Sequence, residues 1–319
     1  MPNWLGDFVM AFPHLRAIKE RQPEAQLTLI AKPQFKELIE LFPLADEFVA
    51  LPHGTMSRFC QLRAMGRSAK PECHVLFTNS MRGDLEAWFV GAKSRLGMAY
   101  PGRRRPLLTG VYLLDSFKDE LHAVHQTTLW ERFLKSIDLI DALDGKPFPL
   151  GSTTRAKTKI GIIAGSSNNP KKCWAVENWC GLIRELSRIN PDCEFVLFGT
   201  PNDREISDLI VNGCDIPLQD MTGKTDLRQL ALELAGCRVV IGNDTGGMHL
   251  ANAVGTPVAV LFGPTNPSVT APFFDVPKVC IQPEGCPPEG GRSIRSLSSD
   301  EVAARLLDFL ETGLVTGKV

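Results

Sequence analysis

The sequence has no long hydrophobic run. Stretches such as 258–262 fall far short of the roughly 20 apolar residues that cross a bilayer, and no basic, apolar leader opens at Met1, so the cytoplasm is the expected compartment. It also lacks any Cys-x-x-Cys pair. The nine cysteines are odd in number and scattered from Cys60 to Cys286, which argues against a disulfide framework or a zinc knuckle. Neither sign of charge is in excess: 35 Lys and Arg stand against 36 Asp and Glu, so wholesale nucleic-acid binding is not expected. No Gly-x-Gly-x-x-Gly follows a strand-like run, which disfavours nicotinamide chemistry, and the P-loop pattern, Gly-x-Ser-x-Gly and His-Glu-x-x-His are all missing. No Asp-x-Asp pair is present to hold a divalent ion against a pyrophosphate. Charge on such a leaving group would fall to lysine, hydroxyls and helix ends.

Short apolar, β-rich runs alternate with stretches of helical period, the pattern of βαβ units on a parallel sheet, so the fold class is α/β. Strands are expected at 26–31, 47–51, 74–78, 159–164, 194–198, 238–241 and 258–262, and helices at 8–21, 33–41, 56–67, 126–143, 176–189, 203–211, 226–235, 247–254 and 299–311. A segment rich in Pro, Gly, Ser and Thr begins at Asp144 and reads as a linker, dividing the 319 residues into domains at 1–150 and 151–319. Two such halves would face each other across a cleft, where proteins of this type hold ligands at the carboxyl ends of parallel strands. The loop Asn3–Asp7 opens the helix expected near Phe8 with no strand before it. A parallel sheet would then keep an unpaired neighbour and an apolar slot, and the expectation is a start a few codons upstream or a trimmed chain.

Four loops in the second half follow buried strands. Asn243-Asp244-Thr245-Gly246 runs into a helix carrying His249, and backbone N–H groups at such a start suit a pyrophosphate, although Asp and Thr are also common N-caps. Gly263-Pro264-Thr265 should open on the same sheet edge. Ser166, Ser167, Lys171 and Lys172 lie in a third loop, where a lysine can neutralise a phosphate or simply be solvated. Asp203 ends the fourth and would either bind a ribose diol or cap a helix. In the first half Asp7 is the acid in a glycine-bearing loop, suited to accept the proton of an attacking hydroxyl or to cap the helix that follows. From Arg58 to Arg105 ten Lys and Arg stand against three acids. With His122 and His125 further on, this basic stretch suits an acidic acceptor, an anionic membrane surface, or plain solvation.

In this order the motifs resemble glycosyltransferase family 9, the bacterial lipopolysaccharide heptosyltransferases, and within it the heptosyltransferase II branch. Those residues are Pro2-Asn3-Trp4-Leu5-Gly6-Asp7, Lys172-x-Trp174, Gly199-x-Pro201-x-Asp203, Asn243–Gly246 with His249, and Gly263-Pro264-Thr265. The resemblance implies a GT-B architecture of two Rossmann-like domains, with the acceptor on the N-terminal one and the donor on the C-terminal one. It implies inverting, metal-independent transfer of L-glycero-D-manno-heptose from ADP-heptose to the lipid A-Kdo inner core, by a cytoplasmic protein with peripheral contact to the inner membrane. Asp7 would be the general base and Lys172 would offset the leaving pyrophosphate. Asp203 would sit near the ribose, and Asp244, Thr245 and Gly246, with His249, would bind the donor. Ser166 and Ser167 would be phosphate contacts by loop position. The chain departs from the family in lacking the opening strand and in reading Cys173-Trp174-Ala175 where a basic residue and a proline are common. Two other readings stay open: another nucleotide-sugar enzyme of this architecture, whether a glycosyltransferase or an epimerase, and a relative that binds nucleotide or glycolipid without catalysis.

Overall fold

The computed structural model describes residues 1–115, 118, 120–150, 156, 158–166 and 170–313. The chain divides into two compact units, Met1–Asp144 and Gly145–Val319. No described helix is long and apolar enough to cross a membrane.

The first unit starts with two helices, α1 (Leu5–Met10) and α2 (Phe12–Arg21), where the apolar period alone suggests one. Pro13 accounts for the break, because a proline is tolerated in a helix's first turn and not in its interior. There follow β1 (Thr28–Ala31), α3 (Lys36–Leu41), β2 (Glu47–Ala50), α4 (Thr55–Ala69) and β3 (Cys73–Leu76). The unit closes with α5 (Met81–Val90), β4 (Ser94–Ala99), β5 (Gly110–Leu113) and α6 (Gln126–Ser136). The last helix stops short of the expected residue 143 because the chain turns left-handed at Asp138, φ 57°.

All pairings in this unit are parallel, and they form two separate sheets, β1-β2 and β3-β4-β5. Among the described residues no strand precedes α1. The slot expected from the sequence is a cavity of about 350 Å³ lined by Ile30 of β1, His74 and Leu76 of β3, and Met1. It is less apolar than expected, since the Arg58–Glu86 ion pair (2.8 Å) shares it with His74. The Met1 amine donates to the Ile30 carbonyl at 3.1 Å.

The second unit contains β6 (Lys159–Ile163), α7 (Val176–Ile189), β7 (Glu194–Leu197), α8 (Arg204–Gly213) and β8 (Leu218–Asp220). Next come α9 (Leu227–Ala235), β9 (Val239–Asn243), α10 (Gly246–Ala253) and β10 (Val258–Leu261). The unit ends with α11 (Pro267–Thr270), β11 (Lys278–Ile281) and α12 (Ser299–Asp308). Its strands form one parallel sheet in the order β11-β10-β9-β6-β7-β8. Every residue of β9 and β10 is buried, as a central parallel strand covered on both faces requires. Gly145 and Phe148 already belong to this unit: the Asp275 N–H donates to the Gly145 carbonyl and the Phe148 N–H to that of Ala253.

Candidate active site

Most of the second unit's candidate residues gather at the carboxyl edge of β6, β9 and β10, three adjacent strands. Lys172 sits in a 3-10 turn, Pro170–Lys172, held in place from behind by Trp174. That indole is 1% exposed, packs edge-on against Trp179 at 5.0 Å, and donates from Nε1 to the Leu297 carbonyl at 2.9 Å. The Lys172-x-Trp174 spacing thus joins a charged tip to a buried anchor.

Lys172 Nζ reaches Asp244 Oδ2 at 2.6 Å, with the side chains 21% and 7% exposed. The Thr265 hydroxyl donates to the same oxygen at 2.7 Å. Asn243 ties the edges of β9 and β6 together, its Nδ2 donating to the Ala164 carbonyl at 2.6 Å. An ammonium, a carboxylate and a hydroxyl from three loops therefore meet beside the start of α10.

Thr245 is the N-cap of α10, yet its hydroxyl makes no capping bond and is buried with no hydrogen-bond partner among the described residues. A buried hydroxyl without a partner costs roughly 1–3 kcal/mol, so a ligand that satisfies it is favoured. Next to it are the amides of Gly246 and Gly247, which no intrahelical carbonyl can satisfy. A Cβ on Gly247 would lie 2.6 Å from Ile163 Cδ1, so a larger residue at this turn would have to displace that methyl of β6. His249 is buried in the same first turn.

Asp203 is 8% exposed and stands at the N-cap position of α8 without a side-chain capping bond there; instead it closes the 3-10 turn Pro201–Asp203, its Oδ2 accepting from the Thr200 amide at 2.8 Å and the Thr200 hydroxyl at 2.7 Å. A Cβ on Gly165 would clash with Asp203 Oδ1, so this carboxylate lies directly against the loop that carries Ser166. Ser166 is half-buried, whereas Ser167 lies outside the described residues.

Asp7 belongs to the first unit. It is the third residue of α1, which begins at Leu5 rather than near Phe8. Its charge bears on Tyr100, just past β4, whose phenol is pushed up by burial first and then by Asp7. Tyr100 donates to Gln126 Oε1 at 3.1 Å, a connection with no sequence signal.

The basic stretch is largely structural. Arg105 is 5% exposed and forms a buried ion pair with Asp84, while also donating to the carbonyls of Met98 and Thr78. Arg95 donates to the carbonyls of Leu107 and Ala92. His125 caps α6, its Nδ1 lying 2.7 Å from the Thr127 hydroxyl. Arg103 and Arg104 are exposed.

The model of glycosyltransferase family 9 (heptosyltransferase) matches residues 79–296. The chain belongs to this family. It is thus a glycosyltransferase. It is 26% identical over 300 residues to lipopolysaccharide heptosyltransferase 2 of Salmonella typhimurium, covering 85% of this chain and 84% of that one. The solved ADP-heptose lps heptosyltransferase II of E. coli superposes with a TM-score of 0.80 at 23% identity, over 97% of both chains. An E. coli heptosyltransferase solved with ADP gives 0.76 at 15% identity, over 96% of this chain and 97% of that one. These likenesses show the GT-B fold with its two Rossmann-like domains.

Proposed function

We propose that this glycosyltransferase moves L-glycero-D-manno-heptose from ADP-heptose to the lipid A-Kdo inner core of lipopolysaccharide, with inversion and without a metal. The observation that carries the reading is the buried, partnerless Thr245 hydroxyl at the start of α10, next to Lys172, Asp244 and Thr265, in a family 9 chain. The unit Gly145–Val319 holds the donor. Its diphosphate lies at the Gly246 and Gly247 amides, with the Thr245 hydroxyl donating to it and Lys172 supplying the full positive charge. Asp244 and Thr265 keep that ammonium aimed while the site is empty, and His249 backs the turn. Asp203 stands near the ribose, and Ser166 and Ser167 contact phosphate.

The unit Met1–Asp144 holds the acceptor. An acceptor hydroxyl oxygen attacks the anomeric carbon from the face opposite the diphosphate. The carbon–oxygen bond to the β-phosphate breaks and ADP leaves with the electron pair. Asp7 takes the hydroxyl proton. Lys172 and the α10 amides meet the charge that grows on ADP, which is the work a metal does elsewhere. The protein acts at the cytoplasmic face of the inner membrane, with exposed cations such as Arg104 facing anionic lipid.

The test is Asp7→Asn. Heptose transfer is expected to fall about 1,000-fold while calorimetry finds ADP binding unchanged and tighter than UDP or GDP. Full turnover by the variant removes Asp7 from the base role, and preference for another nucleotide removes ADP-heptose as donor.

A further inference from the structure

An apolar and basic surface lies on the outside of the first unit. Met56, Met81 and Trp88, on α4 and α5, are 75%, 61% and 47% exposed. The two helices pack side by side, since the rings of Phe59 and Phe89 stack at 4.3 Å and a Cβ on Gly66 would run into the Val90 carbonyl. Leu62 and Val90 are buried together with Leu51. These contacts fix which faces turn outward. Met56, Cys60, Arg63 and Arg67 recur at helical spacing and form one exposed stripe of α4, turned away from Leu62 and Gly66. Met81 and Trp88, about two turns apart, form the exposed stripe of α5.

The charge on this surface has one sign. α4 holds Arg58, Arg63 and Arg67 and no acid, and Lys70 follows at its carboxyl end. Glu86 of α5 takes up Arg58 at 2.8 Å and Arg82 at 3.3 Å, which settles the charge between the helices. Arg63, Arg67 and Lys70 are exposed and form no ion pair among the described residues. Met56 and Met81 open their helices just past the carboxyl ends of β2 and β3, the edge at which parallel strands present ligands. Arg103 donates to the Asn79 carbonyl and so sets the loop carrying the exposed Arg104 beside the start of α5.

We propose that the outer face of α4 and α5 docks on an anionic lipid bilayer. Met56, Met81 and Trp88 enter the boundary between headgroups and acyl chains, where tryptophan is favoured and burial of apolar surface holds the helices in the plane. Arg63, Arg67 and Lys70 reach the lipid phosphates, whose negative surface potential attracts each of them. A second copy of the chain fits this face poorly. Pairing about a two-fold axis would set the three cations against their own counterparts. The proposal rests on the reading that the protein acts at the membrane, and it names the surface that meets the lipid.

The test floats the full-length protein with vesicles of phosphatidylglycerol and phosphatidylethanolamine, and with phosphatidylcholine vesicles, in the absence of nucleotide and acceptor. Wild type should bind the anionic vesicles about tenfold tighter and lose that margin in high salt. Arg63→Glu/Arg67→Glu should weaken binding to the anionic vesicles about 30-fold, and Met56→Ser/Met81→Ser about tenfold on both kinds of vesicle. These four side chains are exposed, so the melting temperature is expected to hold. Brominated lipid should quench tryptophan emission in wild type and quench it less in Trp88→Phe. If wild type binds the anionic vesicles and both double variants bind as well, this face is overturned while membrane contact stands. If wild type transfers heptose yet binds no vesicle, the face and the membrane contact fall together and the transfer reading stands. Vesicle binding lost in both variants of a protein that transfers no heptose would instead leave the face standing without the assigned function. A wild-type dimer that Met56→Ser/Met81→Ser dissociates, with no vesicle binding, would make the face a contact between copies and overturn the proposal.

Discussion

In Gly145–Val319 the parallel strands pair without interruption from β11 to β8, whereas in Met1–Asp144 pairing stops between β1 and β3. The unbroken sheet sets its loops in register, so Lys172, Asp244 and Thr265 meet at one edge by virtue of strand order alone. The divided unit lacks that frame, and two of the ties between its elements are buried groups that carry or can gain charge. Arg105 and Asp84 join the loop after β4 to α5. His14 of α2 donates from Nε2 to the Thr127 carbonyl of α6 at 2.9 Å. The first unit is therefore expected to be the more sensitive to loss of a charge or gain of a proton.

Asp84→Asn puts the largest strain on that contrast. It leaves the Arg105 guanidinium buried without its counter-charge, a change that costs about 3–5 kcal/mol. Hydrogen exchange on the full-length variant should find protection lost across Met1–Asp144 and kept across β6, β9 and β10, with ADP affinity retained. Uniform loss in both units would mean that the two stabilise each other more than their separate cores do.

Acid should act in the same direction. Burial lowers the His14 imidazole to about 4 from its usual 6.5, the Thr127 bond opposing only in part. His74, in the slot between β1 and β3, is also held at about 4, by burial first and then by the charges of the Met1 amine and Arg95. Between these values and 6.5 the unfolded chain binds more protons than the native one, so stability falls as pH drops through that window. For His14 the full loss is about 3 kcal/mol by pH 4. His14→Gln should flatten the pH dependence of unit 1 protection, and an unchanged slope would place the sensitivity elsewhere.

Lys172→Met tests the second unit at its edge rather than its core. ADP affinity is expected to fall about 10- to 100-fold, and the melting temperature to fall less than in Asp84→Asn, because Asp244 loses its counter-charge but keeps the Thr265 hydroxyl and lies at the sheet edge. A large fall in stability with unchanged affinity would make the Lys172–Asp244 pair a structural tie instead.

The same contrast decides what was legible in the sequence. The central strands β6, β9 and β10 are predominantly apolar runs and stand out, and the polar loops after them stand out as interruptions. The edge strands β8 and β11 are only three and four residues long and mostly half-exposed, and carry no such signal. In the first unit β4 has Arg95 in its middle and α5 mixes Arg82, Asp84 and Glu86 with its apolar residues, so both vanish into a basic stretch. Arg105 looks like one of three surface arginines, and only the fold reveals that it is buried. Thr265 was visible as part of a motif, but its bond to Asp244 links two loops across β9 and β10.

The smallest expected effect separates two roles within one carboxylate. Asp203 Oδ2 is committed to Thr200, so Asp203→Ala should lose the capping-box bonds and about 1 kcal/mol of stability. Asp203→Asn keeps an acceptor oxygen for both Thr200 bonds and should leave stability nearly unchanged. What asparagine loses is the negative charge that strengthens a bond from a ribose hydroxyl. If Oδ1, against Gly165, accepts such a bond, Asp203→Asn weakens ADP binding about tenfold, and 2′,3′-dideoxy-ADP, which lacks both hydroxyls, binds wild type and variant alike. Equal ADP affinity in the asparagine variant and the wild type would make Asp203 a cap alone, and the ribose contact would have to be sought on another loop of the same edge.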